Sequence, residues 1–228
     1  IVKSVIKISK YIIEEQNISK FKVQGLELEI SWQSVVKPMH LQLKTGECIA
    51  VSGKIDRVDV YDDGVNYYIR VIDYKSGSKT FCIDDVYYGL NMQMLLYLFM
   101  LTDYCNKNTK KKFKPAGVLY MPIKSKVPIA ERVLDFAQIK QLEFCGFKMN
   151  GLLIDDVNVL TAMEEDLKGK FIPAEINKDQ TLSKRSSVIS EDNFESLEEH
   201  IKNIIKFMAE DIFKGNISAI PTEGSRYK

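Results

Sequence analysis

The segments Gly53-Lys54-Ile55-Asp56-Arg57 and Ile72-Asp73-Tyr74-Lys75-Ser76-Gly77 place two carboxylates and a lysine on what reads as one β-hairpin. Side chains alternate between the faces of a strand, so Asp73 and Lys75 share one face of the segment Tyr67–Lys75. A turn around Asp63-Gly64 folds the chain back and brings Asp56 close to a position opposite Asp73. Charges set among Val58, Val60, Ile69, Val71 and Ile72 are costly unless something compensates them. A divalent cation held by the two carboxylates does so, and hard oxygen ligands suit magnesium or manganese. The chemistry that fits is phosphodiester hydrolysis, which needs an activated water, neutralised phosphate charge and help for the leaving oxygen. Asp73 is then the first ligand and Asp56 the second, bridging if two ions bind. Lys75 orients the attacking water and offsets charge in the transition state. The competing reading is a surface salt-bridge cluster, and the apolar flanks argue against it.

The elements that must hold these residues can be read from periodicity. Val2, Val5, Ile6, Ile8, Ile12 and Ile13 recur at helical spacing, predicting an amphipathic helix over Val2–Gln16. Leu26–Trp32 alternates as a strand, with Glu27 and Glu29 on the same side. Met39–Leu43, Cys48–Tyr61 and Tyr67–Lys75 continue as an antiparallel meander with turns at Lys44-Thr45-Gly46 and Asp62-Asp63-Gly64. Asp84-Asp85 open a long helix to Tyr104, their charges well placed against its dipole. Gln93 and Tyr97 lie on one face of it and, set among Met92, Leu95, Leu96 and Leu98, call for polar partners. Lys107–Lys114 reads as a charged loop, solvated or contacting phosphate, and Ala116–Ile123 as a strand. Beyond Pro128 the pattern predicts helices over Asp135–Phe147, Asp156–Leu167 and Glu191–Phe213, with an extended loop over Pro173–Ser190.

Gly53–Asp59 and Val71–Ser76 resemble the GxIDRxD and DYKS motifs of RecB-type nucleases, and Val86–Tyr97 resembles their GLxxQxxxY helix. Pro115–Tyr120 and Ser186-Ser187-Val188 are similar to the AddB family, the B subunits of bacterial helicase–nucleases. The resemblance covers nearly the whole chain, as a C-terminal portion of a much longer protein. It implies an α/β fold with a PD-(D/E)xK restriction-endonuclease-like core, a mixed central sheet flanked by helices, and a C-terminal helical extension. One domain then spans 1–228, with the core over about 1–125 and a mainly helical extension over about 126–228.

The implied activity is that of a metal-dependent deoxyribonuclease, an exonuclease within a helicase–nuclease that processes double-strand ends for recombinational repair. The resemblance assigns it the 5′-ended strand. The implied partners are DNA and an AddA-type helicase-nuclease subunit, which feeds DNA in and cuts the other strand. The resemblance also adds the Tyr74 carbonyl as a metal ligand. It points to an upstream acid, because Phe21–Leu28 is similar to a segment whose glutamate follows Gly-Leu, which indicates Glu27. Glu29 stays open, since spacing does not separate the two. Gln93 and Tyr97 are assigned to the lysine region and the DNA backbone, the alternative being that they pin the helix to the sheet. Arg57 either contacts phosphate or pairs with an acid. The rival function is an inactive DNA-holding or subunit-interface module of the same complex. Such modules lose the Asp or Lys, whereas Asp56, Asp73, Lys75, Gln93 and Tyr97 are all present.

Composition sets outer bounds. With 228 residues, 45% hydrophobic and 28% charged, the chain can bury a substantial core. A net charge of +1 requires any DNA affinity to come from a local patch, a metal site or a larger assembly. No apolar run has the length of a membrane span and no signal peptide opens the chain, so the expectation is a cytoplasmic protein with no membrane association. The chain opens at Ile1 and stops at Lys228, which reads as a piece of a longer protein. Two histidines, His40 and His200, far apart and outside any HExxH pattern, argue against a zinc hydrolase. His40 stays a candidate metal ligand, because some RecB-type nucleases carry a histidine before the first motif, and His200 reads as solvated. The four cysteines, Cys48, Cys82, Cys105 and Cys145, read as reduced thiols. The resemblance implies an iron–sulfur cluster held by cysteines flanking the nuclease core. These four lack the spacing, so the cluster is expected in the full-length protein and not in this stretch.

Overall fold

The computed structural model describes residues 2–77, 80–123, 135, 144, 146–216 and 218. Helix α1 (Val2–Ile18) leads into strand β1 (Lys22–Ile30), followed by β2 (Met39–Gln42), β3 (Cys48–Val51), β4 (Gly53–Asp62) and β5 (Asn66–Lys75). Helices α2 (Ile83–Tyr87) and α3 (Gln93–Asn108) connect β5 to β6 (Lys112–Pro122). Then come β7 (Asn150–Ile154), α4 (Val157–Met163), β8 (Val188–Ile189) and α5 (Glu191–Phe213). The main sheet has six strands in the order β1-β4-β5-β6-β7-β8, and β2 and β3 form a separate two-stranded sheet. β4 and β5 are antiparallel, β5 and β6 parallel, and α3 packs on β5 and β6 as the crossover. This is the mixed sheet flanked by helices, closed by a C-terminal helix, that the sequence leads one to expect.

Several elements differ from the sequence reading, each for a local reason. The helix expected over Asp84–Tyr104 is two helices, because Gly89 (φ 82°) and Asn91 (φ 55°) adopt left-handed backbone between them. The strand expected over Cys48–Tyr61 is interrupted after Val51, and its first part pairs with β2 in the small sheet rather than extending the meander. The Lys-rich segment is only partly a loop, since Lys112 already begins β6. The helix expected over Asp156–Leu167 ends at Met163, with Asp156 capping it by accepting from the Asn158 and Val159 N–H groups. The helix expected over Asp135–Phe147 lies largely outside the described residues.

Besides its helices, the stretch after residue 126 supplies two strands to the sheet, β7 and β8. Short strands among small or polar residues carry little periodicity. Ser186-Ser187-Val188 lies at this joint: the Leu153 N–H donates to the Ser187 carbonyl at 3.0 Å, and the Ser187 hydroxyl donates to the Gly151 carbonyl at 2.5 Å. Among the described residues no helix is long and apolar enough to cross a membrane.

The two faces of the β4–β5 hairpin have different characters. Its turn is built as expected: the Asp62 carboxylate accepts from the Gly64 N–H and the Asp63 carboxylate from the Val65 and Asn66 N–H groups, with Gly64 at φ 91°. On one face, Arg57 and Asp59 of β4, Arg70 of β5 and Glu15 of α1 are all at most 1% exposed. Arg57 donates to both Asp59 oxygens at 2.8 and 2.7 Å and to Glu15 at 3.2 Å. Arg70 donates to Glu15 at 2.5 Å and to Asp59 at 2.8 and 3.0 Å, and lies 4.8 Å from the Phe21 ring centroid. Two cations and two anions balance, which is what makes their full burial tolerable. Burial by itself raises the Glu15 and Asp59 carboxyls, but Arg70 and Arg57 more than offset it and hold both below their ordinary values. Arg57 therefore faces an acid cluster and not solvent, so of its two expected roles ion pairing is the one observed.

Candidate active site

The opposite face of the hairpin carries the candidate catalytic residues. The pairing Arg57↔Ile72, carried on by one residue, sets Asp56 directly across from Asp73. Asp73 is in turn the register partner of Tyr120 on β6. Opposed residues share a face, so Asp56, Asp73, Lys75 and Tyr120 lie on the side away from Arg57. The Asp56 Oδ2 accepts from the Tyr74 backbone N–H at 3.0 Å, which holds the carboxylate beside β5. Lys75 Nζ is 2.5 Å from Asp73 Oδ2 as an ion pair and 5.8 Å from the Tyr120 ring centroid. Despite that ion pair, Asp73 Oδ2 is buried without a properly directed hydrogen bond. Burial, and then the Asp73 charge, push the Tyr120 hydroxyl up to about 12, so it stays protonated at neutral pH. Sequence reasoning placed Tyr120 in a strand but missed its place beside Asp73, because only the β5–β6 register puts it there.

The upstream acids behave differently. Glu27 adopts left-handed backbone (φ 52°) within β1, which breaks the strict alternation expected there. Its carboxylate is 65% exposed and ion-paired with Lys54. Glu29 pairs in register with Lys54. Glu27, with Glu29 and Asp56 further off, holds Lys54 above its usual pKa. Among the described residues no three Asp, Glu, His or Cys groups converge on one point. Two carboxylates thus stand together and the third is turned aside onto a lysine.

Gln93 begins α3 and is exposed rather than buried among its apolar neighbours, while Tyr97 is 8% exposed. Gln93 Nε2 donates to the Tyr97 hydroxyl at 2.9 Å. Among the described residues neither bonds to Asp56, Asp73 or Lys75. Tyr97 lies instead against Gly53: a Cβ added at residue 53 would fall inside the Tyr97 ring. The glycine that opens the first motif and the tyrosine that ends the helix motif are thereby one packing unit. Gly53→Ala is expected to displace Tyr97 and lower thermal stability by about 1–3 kcal/mol, as overpacking does. A calorimetric scan checks this, and an unchanged Tm would count against the contact.

The remaining candidates lie apart. His40, on β2, faces Cys48 Sγ at 3.7 Å and the Trp32 ring at 5.1 Å between centroids, in the small sheet. His200 on α5 stacks on Tyr87 with Nε2 3.0 Å from the Tyr87 carbonyl, so it is partnered and not merely solvated. Cys48 is on β3, Cys82 precedes α2, Cys105 is on α3, and Cys145 lies outside the described residues.

The donor set suits a hard divalent cation. It is made of carboxylate oxygens on one face, and one of them, Asp73 Oδ2, is buried with the Lys75 ammonium as an ion-pair partner but no directed hydrogen bond.

Comparison with known proteins agrees with this geometry. A 39% identical relative in Clostridium novyi (strain NT) aligns over 219 residues, 95% of this chain and 19% of its own length. One in Thermoanaerobacter sp. (strain X514) is 36% identical over 205 residues, 89% of this chain and 18% of its own. One in Clostridium tetani (strain Massachusetts / E88) is 32% identical over 230 residues, 99% and 20%. Each is named as the B subunit of an ATP-dependent helicase/deoxyribonuclease. The chain therefore spans 18–20% of the length of these relatives. The family model for the PD-(D/E)XK nuclease superfamily matches residues 5–227, and with Asp56, Asp73 and Lys75 together on one face of the hairpin, the chain belongs to that superfamily.

Proposed function

We propose that this chain is the deoxyribonuclease domain of a helicase–nuclease B subunit and hydrolyses DNA phosphodiester bonds with magnesium or manganese. The observation that carries the reading is that Asp56 and Asp73 stand one step beyond the last paired residues of the hairpin, Arg57 and Ile72, with the Asp56 carboxylate held by the Tyr74 N–H and Lys75 ion-paired with Asp73. Asp56, Asp73 and the Tyr74 carbonyl would hold the metal, with Glu27, once released from its ion pair with Lys54, or Glu29 added. Bound there, a divalent cation supplies a more acidic water and neutralises phosphate charge. Lys75 donates to the attacking water or the phosphate oxygen and offsets negative charge in the transition state. The buried ion cluster on the far face sets the strand geometry. Tyr97 fixes the start of β4 through Gly53.

The partner is proposed as an AddA-type helicase-nuclease subunit, with this domain acting on the 5′-ended strand during processing of double-strand ends. An iron–sulfur cluster belongs to the full-length protein in this proposal, and no catalytic step runs through it.

Lys75→Ala separates catalysis from metal binding. Cleavage is expected to fall about 10²–10³-fold, the usual loss for one transition-state donor. Binding of manganese, followed by calorimetry, is expected to persist, because the lysine is not a ligand. Retained cleavage in Lys75→Ala, or full activity of the parent protein in excess EDTA, would overturn the reading.

A further inference from the structure

The Lys75 ammonium has two neighbours on the candidate face, and a divalent cation would affect them differently. One is Asp73, whose Oδ2 lies 2.5 Å from Nζ. The other is Tyr120, whose ring centroid lies 5.8 Å from Nζ, within the range at which an aromatic face attracts a cation. The Asp73 oxygen paired with the lysine is also the buried one without a directed hydrogen bond, and so the one best placed as a metal ligand. Serving both would set two cations on a single oxygen, and like charges that close repel. The ring has no such conflict. It also does not move: Tyr120 lies on β6, an interior strand, between Asp73 on one side and Asn150 on the other. It is 2% exposed, and Val118, Leu119 and Met121 beside it are fully buried. Lys75 is fixed only at its backbone, where the Ile123 N–H donates to its carbonyl at 2.9 Å, and its side chain stays part-exposed.

We infer that Tyr120 is a positioning residue for Lys75, its ring face holding the ammonium in place while Asp73 serves a divalent cation. It acts through the lysine, because a side chain this buried does not reach DNA. A lysine with four rotatable bonds gains most from such a rest, since an ammonium that wanders is a poor transition-state donor. The competing account is a tyrosine that only fills space in the sheet. The inference rests on the nuclease reading, in which Lys75 is the donor, and its first test contains no cleavage step.

That test uses the full-length protein with its lysines dimethylated by carbon-13 formaldehyde, which keeps their charge. The Lys75 methyl signal is assigned by its loss in Lys75→Arg. Adding magnesium is expected to move it upfield, as protons over an aromatic face do, and to leave the signal of Lys178, an exposed lysine, in place. Tyr120→Phe keeps this shift and Tyr120→Leu loses it. Magnesium binding is followed alongside by calorimetry. A protein that binds magnesium without moving the Lys75 signal overturns this inference alone, and that result needs no variant to fold. A protein that binds no divalent cation overturns the nuclease reading and this inference with it. In single-turnover cleavage, Tyr120→Leu is expected to slow the reaction about tenfold with DNA affinity unchanged, and Tyr120→Phe to recover most of that loss. In the Lys75→Ala background, Tyr120→Leu is expected to cost less than about twofold more, because the two residues act as one unit. An equal loss in both backgrounds, or a Tyr120→Phe as slow as Tyr120→Leu, would show that the ring only fills space.

Discussion

Asp73→Ala is expected to abolish DNA cleavage by this domain, with a loss of at least about 10³-fold, while leaving the fold intact. The size follows from the several kcal/mol of charge stabilisation that a bound cation supplies, at about 1.4 kcal/mol for each factor of ten. The fold should survive because Asp73 is not holding the sheet together. Its Oδ2 is buried without a hydrogen bond, and its one close partner is the half-buried Lys75. Asp73→Ala removes one ion pair with a part-exposed lysine and no hydrogen bond within the sheet, so Tm should change by only a few degrees. The experiment belongs in the proposed helicase–nuclease assembly, with any nuclease activity of the proposed partner subunit disabled, so that residual cleavage can be assigned to this chain. Unchanged cleavage there would make the domain a DNA-holding module. A collapse of Tm alongside the loss of activity would mean that Asp73 is structural.

Arg70→Ala acts in the opposite sense, on stability before chemistry. It strips two carboxylates, Glu15 and Asp59, of a guanidinium that bonds to both. All four members of this cluster are fully buried, so the remaining charges cannot turn to water. Breaking such a cluster costs about 3–5 kcal/mol, against roughly 0–1 for an exposed pair. At this size that corresponds to a fall of roughly 6–20 °C in Tm.

The same cluster sets the acid limit. Glu15 and Asp59 have folded pKa values below their unfolded values of 4.5 and 3.8. Their contribution is thus complete above about pH 5 and is lost as pH falls through the lowered folded values. Thermal unfolding followed from pH 7 to pH 3 should show the parent protein losing stability below the ordinary carboxylate range. Arg70→Ala should lose less over that range, having less to lose. A substitution cost below 1 kcal/mol would show that the cluster is incidental.

Much of the site was legible in the primary structure because it is local. Alternation along β5 places Asp73 and Lys75 on one face whatever the rest of the chain does, and Asp62-Asp63-Gly64 specifies where the hairpin turns. Those two facts bring Asp56 opposite Asp73. Gln93 and Tyr97, four apart on a helix, were bound to be neighbours. The mixed sheet with its crossover helix followed from strands of ordinary length separated by a helical segment.

What the linear pattern did not determine depends on contacts between distant segments. Arg57 bonds Asp59 two residues along its own strand, but the sealing of that pair away from solvent depends on α1, which brings Glu15 from 42 residues away. That Tyr120 stands beside Asp73 depends on the β5–β6 register. Glu27 and Glu29 looked equivalent from their spacing. A single left-handed residue at Glu27 ends the alternation and turns its carboxylate to Lys54, and backbone geometry of that kind leaves no mark on periodicity when the residue is not glycine. Strands β7 and β8 escaped notice because they are short, and their identity comes from the partners they find in the sheet rather than from their own alternation. The sequence by itself determined which carboxylates and which lysine share one face of the hairpin. Only the tertiary structure decided which charges are sealed inside the fold and which remain open to the substrate, because burial belongs to the packed chain and not to any one segment.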